Sequence, residues 1–554
     1  MDASHEERQA CLVDGNFKDV ALSAQFEKGG IYTSNTRPNR TYAAYVLTLL
    51  FFTYAVNQLD KFSLSIVAEP VAQELQYGNQ ECMVNDDVQG RFTANYSLSQ
   101  HQLNRWSSLC SKGANESFCS TANITFSLGQ LGNKTVHHPC AYNYDGTGFQ
   151  YQLVAGPVFD NIFAVSALFM GVLADFHHLK IFLCINLIIW SVLTGITGFV
   201  KEYWQLVLAR FGVAIGSAGC TPFAACIIVN YFPKELHGIV LGIYNWGIYI
   251  GYGAAFAIGN QVAEKLSWHW VFYLTGGFGV AIAPFILLTI EEPKRQVNEV
   301  QKKRQLASSL SFKDRTLLLL LNFFPKSLFC GYKPMAVYPS MFSFGLWLLI
   351  VAGGVRNAGG YVWGYNAQLF YANDKGLSSD QITEFMSWIP AIGGIVGAFL
   401  GGLAADLVAK YGQPHHRLWV LALSQMIAAP FAAGALFLPF PWCFLILLPA
   451  FVFGEMWIGV TVAVVVDIVP ALIQGSVIAV YLFIITVIGG NFNVLVSVFV
   501  QAGLDRKWAL LITFPGFYMM GSFLFVITYF VLRYEVSKAR NNLYASVVTS
   551  TDEQ

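Results

Sequence analysis

Charged side chains stand inside several of the long apolar runs of this sequence. They are Asp60, Lys61, Asp160, Arg210, Arg356, Glu455 and Asp467. A charge at the centre of a bilayer costs about 2.5–3.5 kcal/mol on insertion scales. Each retained charge is therefore a candidate for moving a proton or binding a charged solute, and a fixed clamp between two helices is the alternative interpretation.

Asp60 and Arg210 are two of these candidates. A buried carboxyl takes up a proton readily, whereas an adjacent guanidinium keeps it ionised. A change of pairing would therefore release or capture a proton. The planar fork of Arg210 also suits phosphate oxygens, and Arg356 with Asn357 would supply a second polar contact.

Aromatic side chains are expected to line the apolar part of the same cavity. The candidates are Phe62, Tyr244, Trp246, Tyr249, Tyr252, Tyr361, Trp363 and Tyr365. A few polar anchors in an aromatic tunnel suit an amphiphile with a charged head, although helix packing is the better explanation of any one of these rings taken alone.

Two short turns repeat one pattern at corresponding places in the chain. Gly171 and Asp175 belong to the first turn, and Gly402 and Asp406 belong to the second. The glycine permits a close helix approach, and the aspartate can face the positive N-terminus of a neighbouring helix. Such repeats are typical of transporters that rock around a midplane site, so we expect these turns to act as a conformational gate.

Motifs of soluble enzymes are absent from the sequence. It has no Gly-rich phosphate loop, no Cys-x-x-Cys pair and no His-Glu-x-x-His motif. We therefore expect no enzyme activity, no metal and no organic cofactor. The coupling ion is expected to be a proton. The formal net charge is zero, which gives no basic surface for nucleic acid.

The elements that would hold these groups are membrane helices. Of the 554 residues, 55% are hydrophobic and 12% are charged, whereas soluble domains carry about 25% charge. A span takes about 20 apolar residues, and about twelve such runs occur in two sets of six. They lie near 42–67, 150–174, 180–200, 204–231, 236–263 and 268–290, and then near 340–371, 384–408, 417–439, 441–469, 474–501 and 508–533. The sequence therefore predicts an all-α polytopic membrane protein with two six-helix bundles, 41–290 and 339–533.

The distribution of Lys and Arg predicts the orientation of these helices. The two tails, 1–40 and 534–554, and the linker 291–338 are the basic segments, and basic loops stay in the cytosol. The apolar stretch 317–324 in the linker is too short to span, so we expect an interfacial helix there, with a re-entrant segment as the alternative. No cleavable signal peptide is expected, because the first apolar run is long enough to remain in the membrane.

The loop between the first two runs, residues 68–148, is predicted to lie in the lumen. It holds four cysteines and four Asn-X-Ser/Thr acceptors, namely Cys82, Cys110, Cys119, Cys140, Asn95, Asn115, Asn123 and Asn133. This combination indicates an oxidising, glycosylating compartment. Four cysteines allow three pairings, among which the sequence does not choose. The loop would either gate the outer face or shield it from proteases.

Taken together, these features resemble the major facilitator superfamily. The turns at 171–180 and 402–410 look like its motif between the second and third helices of each half. Arg210 followed by Gly216 is similar to its arginine motif, and 291–295 looks like its Pro-Glu-Ser-Pro-Arg element. The resemblance implies two six-helix bundles that alternate access to a central cavity.

A narrower resemblance, to the Spinster-type lipid transporters, covers nearly all of the membrane part. Residues 57–62, 267–270 and 359–361 resemble motifs of their first, sixth and seventh helices. Gly454-Glu455, followed by Asp467-Ile468, matches their tenth-helix motif at the same spacing and is the most specific likeness.

The narrower resemblance implies a proton-coupled carrier of a lysophospholipid or a sphingolipid-like amphiphile. Asp60 and Arg210 would be the coupling pair, with Glu455 and Asp467 on the same path, whereas Arg356, Asn357, Trp246, Tyr249 and Tyr361 would bind substrate. The family's acidic residue seven positions after the arginine is replaced by Ser217, so Asp60 would carry the proton alone. The alternatives are a carrier of a small organic anion or sugar-like solute, since fold does not fix substrate, and a non-transporting membrane sensor.

The C-terminal tail carries a pattern that concerns localisation. Tyr544-Ala-Ser-Val547 fits the Tyr-x-x-bulky sorting pattern, which a sorting adaptor could bind. With the resemblance and the predicted luminal glycosylation, this pattern favours the membrane of late endosomes or lysosomes, where membrane lipids are the immediate partners. The plasma membrane is the alternative.

Overall fold

The structure is a computed structural model, and it describes most of the membrane part of the chain. The described residues are 40–96, 98–99, 102, 105–106, 109–110, 116–127, 133–176, 178–233, 236–292, 343–411, 413–469 and 474–551. The predictions for the N-terminal tail, for the linker beyond 292 with its stretch 317–324, and for Asn115 lie outside these residues. The chain forms two compact units, Met1–Tyr45 and Val46–Gln554. The described part of the first unit is the beginning of a helix.

Twelve helical units follow the twelve predicted runs in place and order within the described residues, and we label them α1 to α12. The first six are α1 (Arg40–Ile66), α2 (Phe149–Ala155 and Pro157–Phe176), α3 (Leu179–Thr197), α4 (Tyr203–Ser217 and Cys220–Tyr231), α5 (His237–Asn245 and Gly247–Lys265) and α6 (Trp268–Thr289). The other six are α7 (Phe344–Leu369 and a π-helical turn, Phe370–Asp374), α8 (Ser379–Met386 and Ile389–Tyr411), α9 (Arg417–Phe437), α10 (Trp442–Leu445, Leu447–Gly454 and Ile458–Ile468), α11 (Gln474–Phe492 and Leu495–Gln501) and α12 (Arg506–Thr513 and Pro515–Thr551). We call α1–α6 the N-terminal half and α7–α12 the C-terminal half. The helix ends beside the 68–148 loop are called luminal, and the opposite ends cytosolic, after the predicted topology.

The all-α polytopic fold is confirmed. Eleven of the described helical units are long and apolar enough to cross a membrane. The unit that falls short is α7, whose main helix has 26 residues but carries Arg356, Asn357, Asn366 and several glycines. Arg356 and Asn366 are buried, so the polar groups of α7 face protein and not lipid, as polar groups at membrane depth generally do.

Small residues allow the helices to pack closely. A Cβ atom at Gly276 of α6 would lie 2.5 Å from the Ser191 carbonyl oxygen of α3, so only glycine fits at this crossing. Membrane helices gain little from hydrophobic burial between them, and their association depends on such close van der Waals packing.

The two halves meet through α2 with α11 and through α5 with α8. Asn161 of α2 and Asn491 of α11 exchange amide hydrogen bonds of 3.2 and 2.7 Å. Nearer the luminal ends, Asn260 of α5 donates to the Thr383 hydroxyl of α8 at 2.9 Å. These contacts hold the luminal ends of the halves together.

The luminal loop is a small disulfide-bonded domain. Its strands are β1 (Gln80–Val84), β2 (Asn123–Ser127), β3 (Asn133–His137) and β4 (Cys140–Tyr144). β1 pairs with β4 and β2 with β3, both antiparallel. Of the three pairings open to the four cysteines, the structure has Cys82–Cys119 and Cys110–Cys140. Trp106 is completely buried at the centre of the domain and donates to the Pro139 carbonyl at 2.9 Å.

Three of the four predicted glycosylation acceptors are described, and all three are exposed. They are Asn95, Asn123 and Asn133. Glycosylation itself stays a prediction, for which these positions are accessible.

The last helix is longer than the sequence indicates. α12 continues to Thr551, past residue 533, where the last apolar run ends. Glu535 beyond this point accepts hydrogen bonds from Ser343 Oγ at 2.5 Å and from the Gly345 amide at 3.3 Å. The segment predicted as a separate tail is therefore attached to the start of α7. Tyr544 falls within this helix, and its side chain is outside the described part.

Candidate transport site

A buried ion pair joins α1 and α2 in the luminal half of both helices. Lys61 Nζ lies 2.8 Å from Asp160 Oδ1, and Asp160 is 0% exposed. The ammonium donates to the Tyr361 hydroxyl at 3.0 Å, and the Tyr365 hydroxyl donates to Asp160 Oδ2 at 2.9 Å. Both tyrosines lie on one face of α7, four residues apart. An ion pair of the N-terminal half is thus satisfied by two hydroxyls of the C-terminal half.

The surroundings of this pair exclude water. The ammonium lies 4.2 Å from the ring centre of Tyr361 and 5.4 Å from that of Phe159. A Cβ atom at Gly490 of α11 would lie 2.8 Å from Asp160 Oδ2, so the α11 backbone covers the carboxylate. Buried ion pairs are stable only when further hydrogen bonds satisfy them, which is the role of the two tyrosines here.

The direct pairing expected between Asp60 and Arg210 is not present. Asp60 Oδ2 accepts from Trp190 Nε1 at 3.1 Å and from the Thr194 hydroxyl at 3.5 Å. Arg210 instead donates to the Lys61 carbonyl at 3.2 Å. Successive residues of a helix project about 100° apart, since a turn takes about 3.6 residues. Lys61 therefore faces α2 and α7, whereas Asp60 faces α3.

Both members of the expected pair keep one polar atom unpaired. Asp60 Oδ1 and Arg210 Nε are buried without a hydrogen-bond partner among the described residues. The Arg210 guanidinium lies 4.6 Å from the ring centre of Phe159. Unsatisfied buried groups of this kind carry a desolvation cost of about 1–3 kcal/mol each, so both residues have capacity for a further partner.

A second buried ion pair lies in the C-terminal half. Arg356 Nη2 of α7 is 3.0 Å from Glu455 Oε1 of α10, and Arg356 Nε donates to Gln425 at 3.0 Å. Arg356 also donates to the Gly454 carbonyl. Glu455 stands where α10 is interrupted between Gly454 and Ile458, and such interruptions at membrane depth are typical of transporter binding sites.

Tyr249 connects this second pair to the N-terminal half. Its hydroxyl, on α5, donates to Glu455 Oε2 at 3.1 Å. Each half therefore contains one buried ion pair, and each pair is hydrogen-bonded by tyrosine from the other half. The sequence contains all four charges, but which tyrosine reaches which pair depends on helix rotation, which a pattern of apolar residues does not fix.

The other predicted substrate residues lie in different places. Asn357 Nδ2 donates to the Ile485 carbonyl of α11 at 3.0 Å, so its amide contacts a helix and does not extend the Arg356 site. Trp246 lines a cavity of about 260 Å³ between α1 and α5 towards their cytosolic ends. The other residues of that cavity are Leu47, Thr48, Phe51, Phe52 and Ile243.

At the turn predicted as a gate in the C-terminal half, the structure has an ion cluster centred on Arg417. This first residue of α9 lies 3.3 Å from Asp406 Oδ1 and also contacts Asp467 closely. Asp467 therefore groups with the gate and not with Glu455, because the twelve residues between them extend about 18 Å along a helix. A Cβ atom at Gly402 or at Gly171 would meet nothing within 4 Å, so the expected close approach at these glycines is wrong for this conformation.

In the N-terminal half, the residue that caps the neighbouring helix is Glu292. Its carboxylate accepts from the backbone amides of Leu179 at 2.7 Å and Lys180 at 3.0 Å, at the positive end of α3. Asp175 lies in α2, and its side chain is outside the described part. The family likeness of 291–295 does not indicate this capping role, because the helix that Glu292 caps begins 113 residues earlier in the chain.

Within the described ranges, no group of three His, Cys, Asp or Glu side chains could hold a metal ion. The free cysteines there are Cys184, Cys220, Cys226 and Cys443.

Comparison with known proteins relates this geometry to one family. The family model of the Major Facilitator Superfamily matches residues 50–492. Protein spinster homolog 1 of Xenopus tropicalis is 25% identical over 320 residues, which are 55% of this chain and 57% of that protein. The sphingosine-1-phosphate transporter SPNS2 of Mus musculus is 30% identical over 141 residues, 25% of this chain and 26% of that protein. This chain thus matches little more than half the length of the first of these relatives, and a quarter of the second.

Solved structures show the same fold. A bacterial homolog to the human lysosomal transporter Spinster, in an inward-facing and unoccupied conformation, has a TM-score of 0.56 at 19% identity, covering 91% of this chain and 97% of the other. A POT family transporter has a TM-score of 0.52 at 11% identity, covering 89% and 96%. These likenesses concern the arrangement of helices alone.

Proposed function

Because this chain belongs to the major facilitator superfamily, we propose that it is a secondary transporter that works by alternating access. The observation that carries the proposal is the reciprocal arrangement of the two buried ion pairs. Tyr361 and Tyr365 reach from the C-terminal half to Lys61–Asp160, and Tyr249 reaches from the N-terminal half to Glu455. Rocking of the halves would change both sets of hydrogen bonds in one movement.

Cargo binding would take place at the cations of these pairs. An anionic head group that approaches Lys61 or Arg356 competes with the carboxylate that each cation now contacts. Displacing a carboxylate leaves it buried and uncompensated, which favours its uptake of a proton. Cargo and proton would therefore bind in a linked way, with Asp160 and Asp60 as the proton-binding carboxyls of the N-terminal half.

The apolar surroundings support an amphiphilic cargo, of the lysophospholipid or sphingolipid class. The cavity beside Trp246 lies between α1 and α5, and Leu47 is one of its residues. Leu47 stands on about the same face of α1 as Lys61, because a separation of fourteen residues is nearly four turns, and it lies about 21 Å along the helix from Lys61. A head group at Lys61 and an alkyl chain towards Trp246 would fit this distance. The relative described as a sphingosine-1-phosphate transporter carries cargo of this chemistry.

Uptake into proteoliposomes tests this assignment. Labelled lysophospholipid should enter vesicles that contain the parent protein and should not enter when Lys61→Met replaces the ammonium. Lys265→Met is the matched control, because it removes one lysine at the luminal end of α5, away from both ion pairs. Parent protein that carries a small organic anion but no lysophospholipid would contradict the lipid assignment and leave transport intact. Folded protein that carries neither the lysophospholipid nor the organic anion would support the alternative of a non-transporting membrane sensor.

The proposed location is the membrane of late endosomes or lysosomes, on the strength of the Tyr544 pattern. Replacing Tyr544 by Ala should move the protein to the plasma membrane in fluorescence microscopy, with Tyr534→Ala as the control on the same helix. An unchanged distribution would remove this support.

A further inference from the structure

The luminal domain ends in a turn that is fixed against the N-terminal half. Asp145 follows β4, is 1% exposed, and accepts hydrogen bonds from the Thr147 amide at 2.9 Å and the Thr147 hydroxyl at 2.8 Å. Gly146 has a φ of 74°, and a Cβ atom there would lie 2.6 Å from Glu69 Cα. Only glycine suits this backbone conformation and this contact. The turn therefore sets the position of the Asp145 carboxylate.

Arg506 of the C-terminal half binds this carboxylate. Its Nη2 lies 2.6 Å from Asp145 Oδ2 and 3.6 Å from Glu81 Oε1 of β1, and its Nη1 lies 3.2 Å from Asp374 at the end of α7. Arg506 is 5% exposed and begins α12, where the helix dipole disfavours a cation. The three carboxylates compensate for both the burial and the dipole.

Two further hydrogen bonds strengthen the same junction. Asn373 Nδ2 donates to the Asp145 carbonyl at 2.8 Å, and Arg506 Nη2 donates to the Thr147 hydroxyl at 3.0 Å. Beneath them is a water-sized cavity of about 10 Å³, lined by both halves and including Gln152, Ser497 and Arg506. The junction thus closes the narrow space between the luminal ends of the two halves.

We infer that the luminal domain is the outer gate of the transporter, in which Asp145 and Glu81 bind Arg506 of the C-terminal half while the luminal face is closed. Opening of that face separates Asp145 from Arg506. A buried charge whose partner is removed is strongly unfavourable, so the closed state stays closed until water or cargo reaches the junction. This inference rests on the alternating access proposed above and not on the identity of the cargo.

Thiol labelling from the luminal side tests the gate. Ser497, 4% exposed beneath the junction, is changed to Cys in the full chain, reconstituted with the luminal face outward. A membrane-impermeant thiol reagent then measures how often the junction opens, with the Ser497 parent giving the background from native cysteines. The added change Arg506→Gln should accelerate labelling by at least about tenfold, which corresponds to a shift of about 1.4 kcal/mol towards the open state.

Two further variants complete the experiment, one as a control for loss of a positive charge and one as a second test of the junction. Lys507→Gln removes the neighbouring positive charge, whose Nζ lies over the Phe437 ring at 4.2 Å and not in the junction, so labelling should stay within about twofold of the Ser497→Cys protein, a shift of about 0.4 kcal/mol. Glu81→Gln removes a carboxylate that Arg506 contacts across the junction and should accelerate labelling even if Arg506→Gln fails to fold. Labelling of Arg506→Gln and Glu81→Gln at the Lys507→Gln rate would overturn the inference.

The labelling result is independent of the cargo assignment. Faster labelling without any lysophospholipid flux would support the gate and contradict the lipid proposal. Flux in the parent with unchanged labelling in both junction variants would contradict the gate alone.

Discussion

Lys61 of α1 and Asp160 of α2 form an ion pair, 2.8 Å between Nζ and Oδ1, whose remaining hydrogen bonds come from the opposite half. The pair therefore has a complete set of partners only while α7 lies against α1 and α2. Arg356 and Glu455 of the C-terminal half are linked to the N-terminal half by one hydrogen bond, which Tyr249 donates to Glu455. At both ion pairs, the hydrogen bonds to the buried charges therefore depend on the relative position of the two halves.

Removing the hydroxyl of one tyrosine that reaches across from the other half should weaken the coupling between the ion pair and the position of the halves, without unfolding the protein. Tyr365→Phe deletes the donor to Asp160, and hydrogen bonds to charged groups contribute about 1.5–3 kcal/mol. We expect transport to slow by about tenfold or more, the effect of about 1.4 kcal/mol, as measured by cargo flux. Tyr371→Phe is the control, because the Tyr371 hydroxyl donates to Cys443 within the C-terminal half. Equal flux in the two variants would contradict the role given to Tyr365.

The ion pair of the C-terminal half should be more important for transport than for stability. Glu455→Gln leaves Arg356 buried without its counter-charge, and breaking a buried pair costs about 3–5 kcal/mol. The melting temperature in detergent should therefore fall. The double change Arg356→Leu with Glu455→Gln should recover most of the lost stability, whereas cargo flux should stay abolished. Flux that returns together with the melting temperature would show that the pair is only structural.

The disulfides should stabilise the luminal domain. Cys82→Ser opens a bridge between residues 37 positions apart, and removing such a bridge costs about 2–5 kcal/mol. We expect protease cleavage within 80–144, whereas Cys226→Ser, at a free and half-buried cysteine, should resist cleavage as the parent does. Mass spectrometry of non-reduced peptides should recover Cys82 linked to Cys119. Recovery of Cys82 linked to Cys110 would contradict the described pairing.

At the cytosolic ends, Asp467 should contribute more than Asp406 to the contact with Arg417. The Asp406 side chain is 77% exposed and that of Asp467 is 28% exposed, and exposed ion pairs contribute at most about 1 kcal/mol. Asp467→Asn should therefore reduce flux several-fold more than Asp406→Asn. The reverse order would mean that the gate depends on the turn and not on the Arg417 cluster.

Composition and apolar run length were sufficient to predict the helices. The twelve runs, the two halves and the cysteine-bearing loop all follow from features that add up over many residues. α7 could be placed by the same means, although its buried Arg356 and Asn366 make it less apolar than the other units.

The partners of individual charges could not be predicted in the same way. Asp60 and Lys61 are adjacent, and only the rotation of α1 decides that Lys61 meets Asp160 while Asp60 meets Trp190. A rotation of one residue would exchange their neighbours. The distance between Glu455 and Asp467, in contrast, could be predicted from the sequence, because twelve residues of helix extend about 18 Å. The junction between Asp145 and Arg506 joins residues 361 positions apart, which no local pattern indicates.

Cargo flux under an imposed pH gradient should reveal whether Asp160 couples transport to protons. Parent protein, Asp160→Asn and Asp380→Asn should be compared in the same proteoliposomes, since Asp380 is exposed at the luminal end of α8 and controls for loss of one carboxylate. We expect a gradient to accelerate flux in the parent and in Asp380→Asn, and we expect Asp160→Asn to lose this acceleration. If flux through Asp160→Asn increased with the gradient as much as flux through the parent, proton coupling through Asp160 would be contradicted.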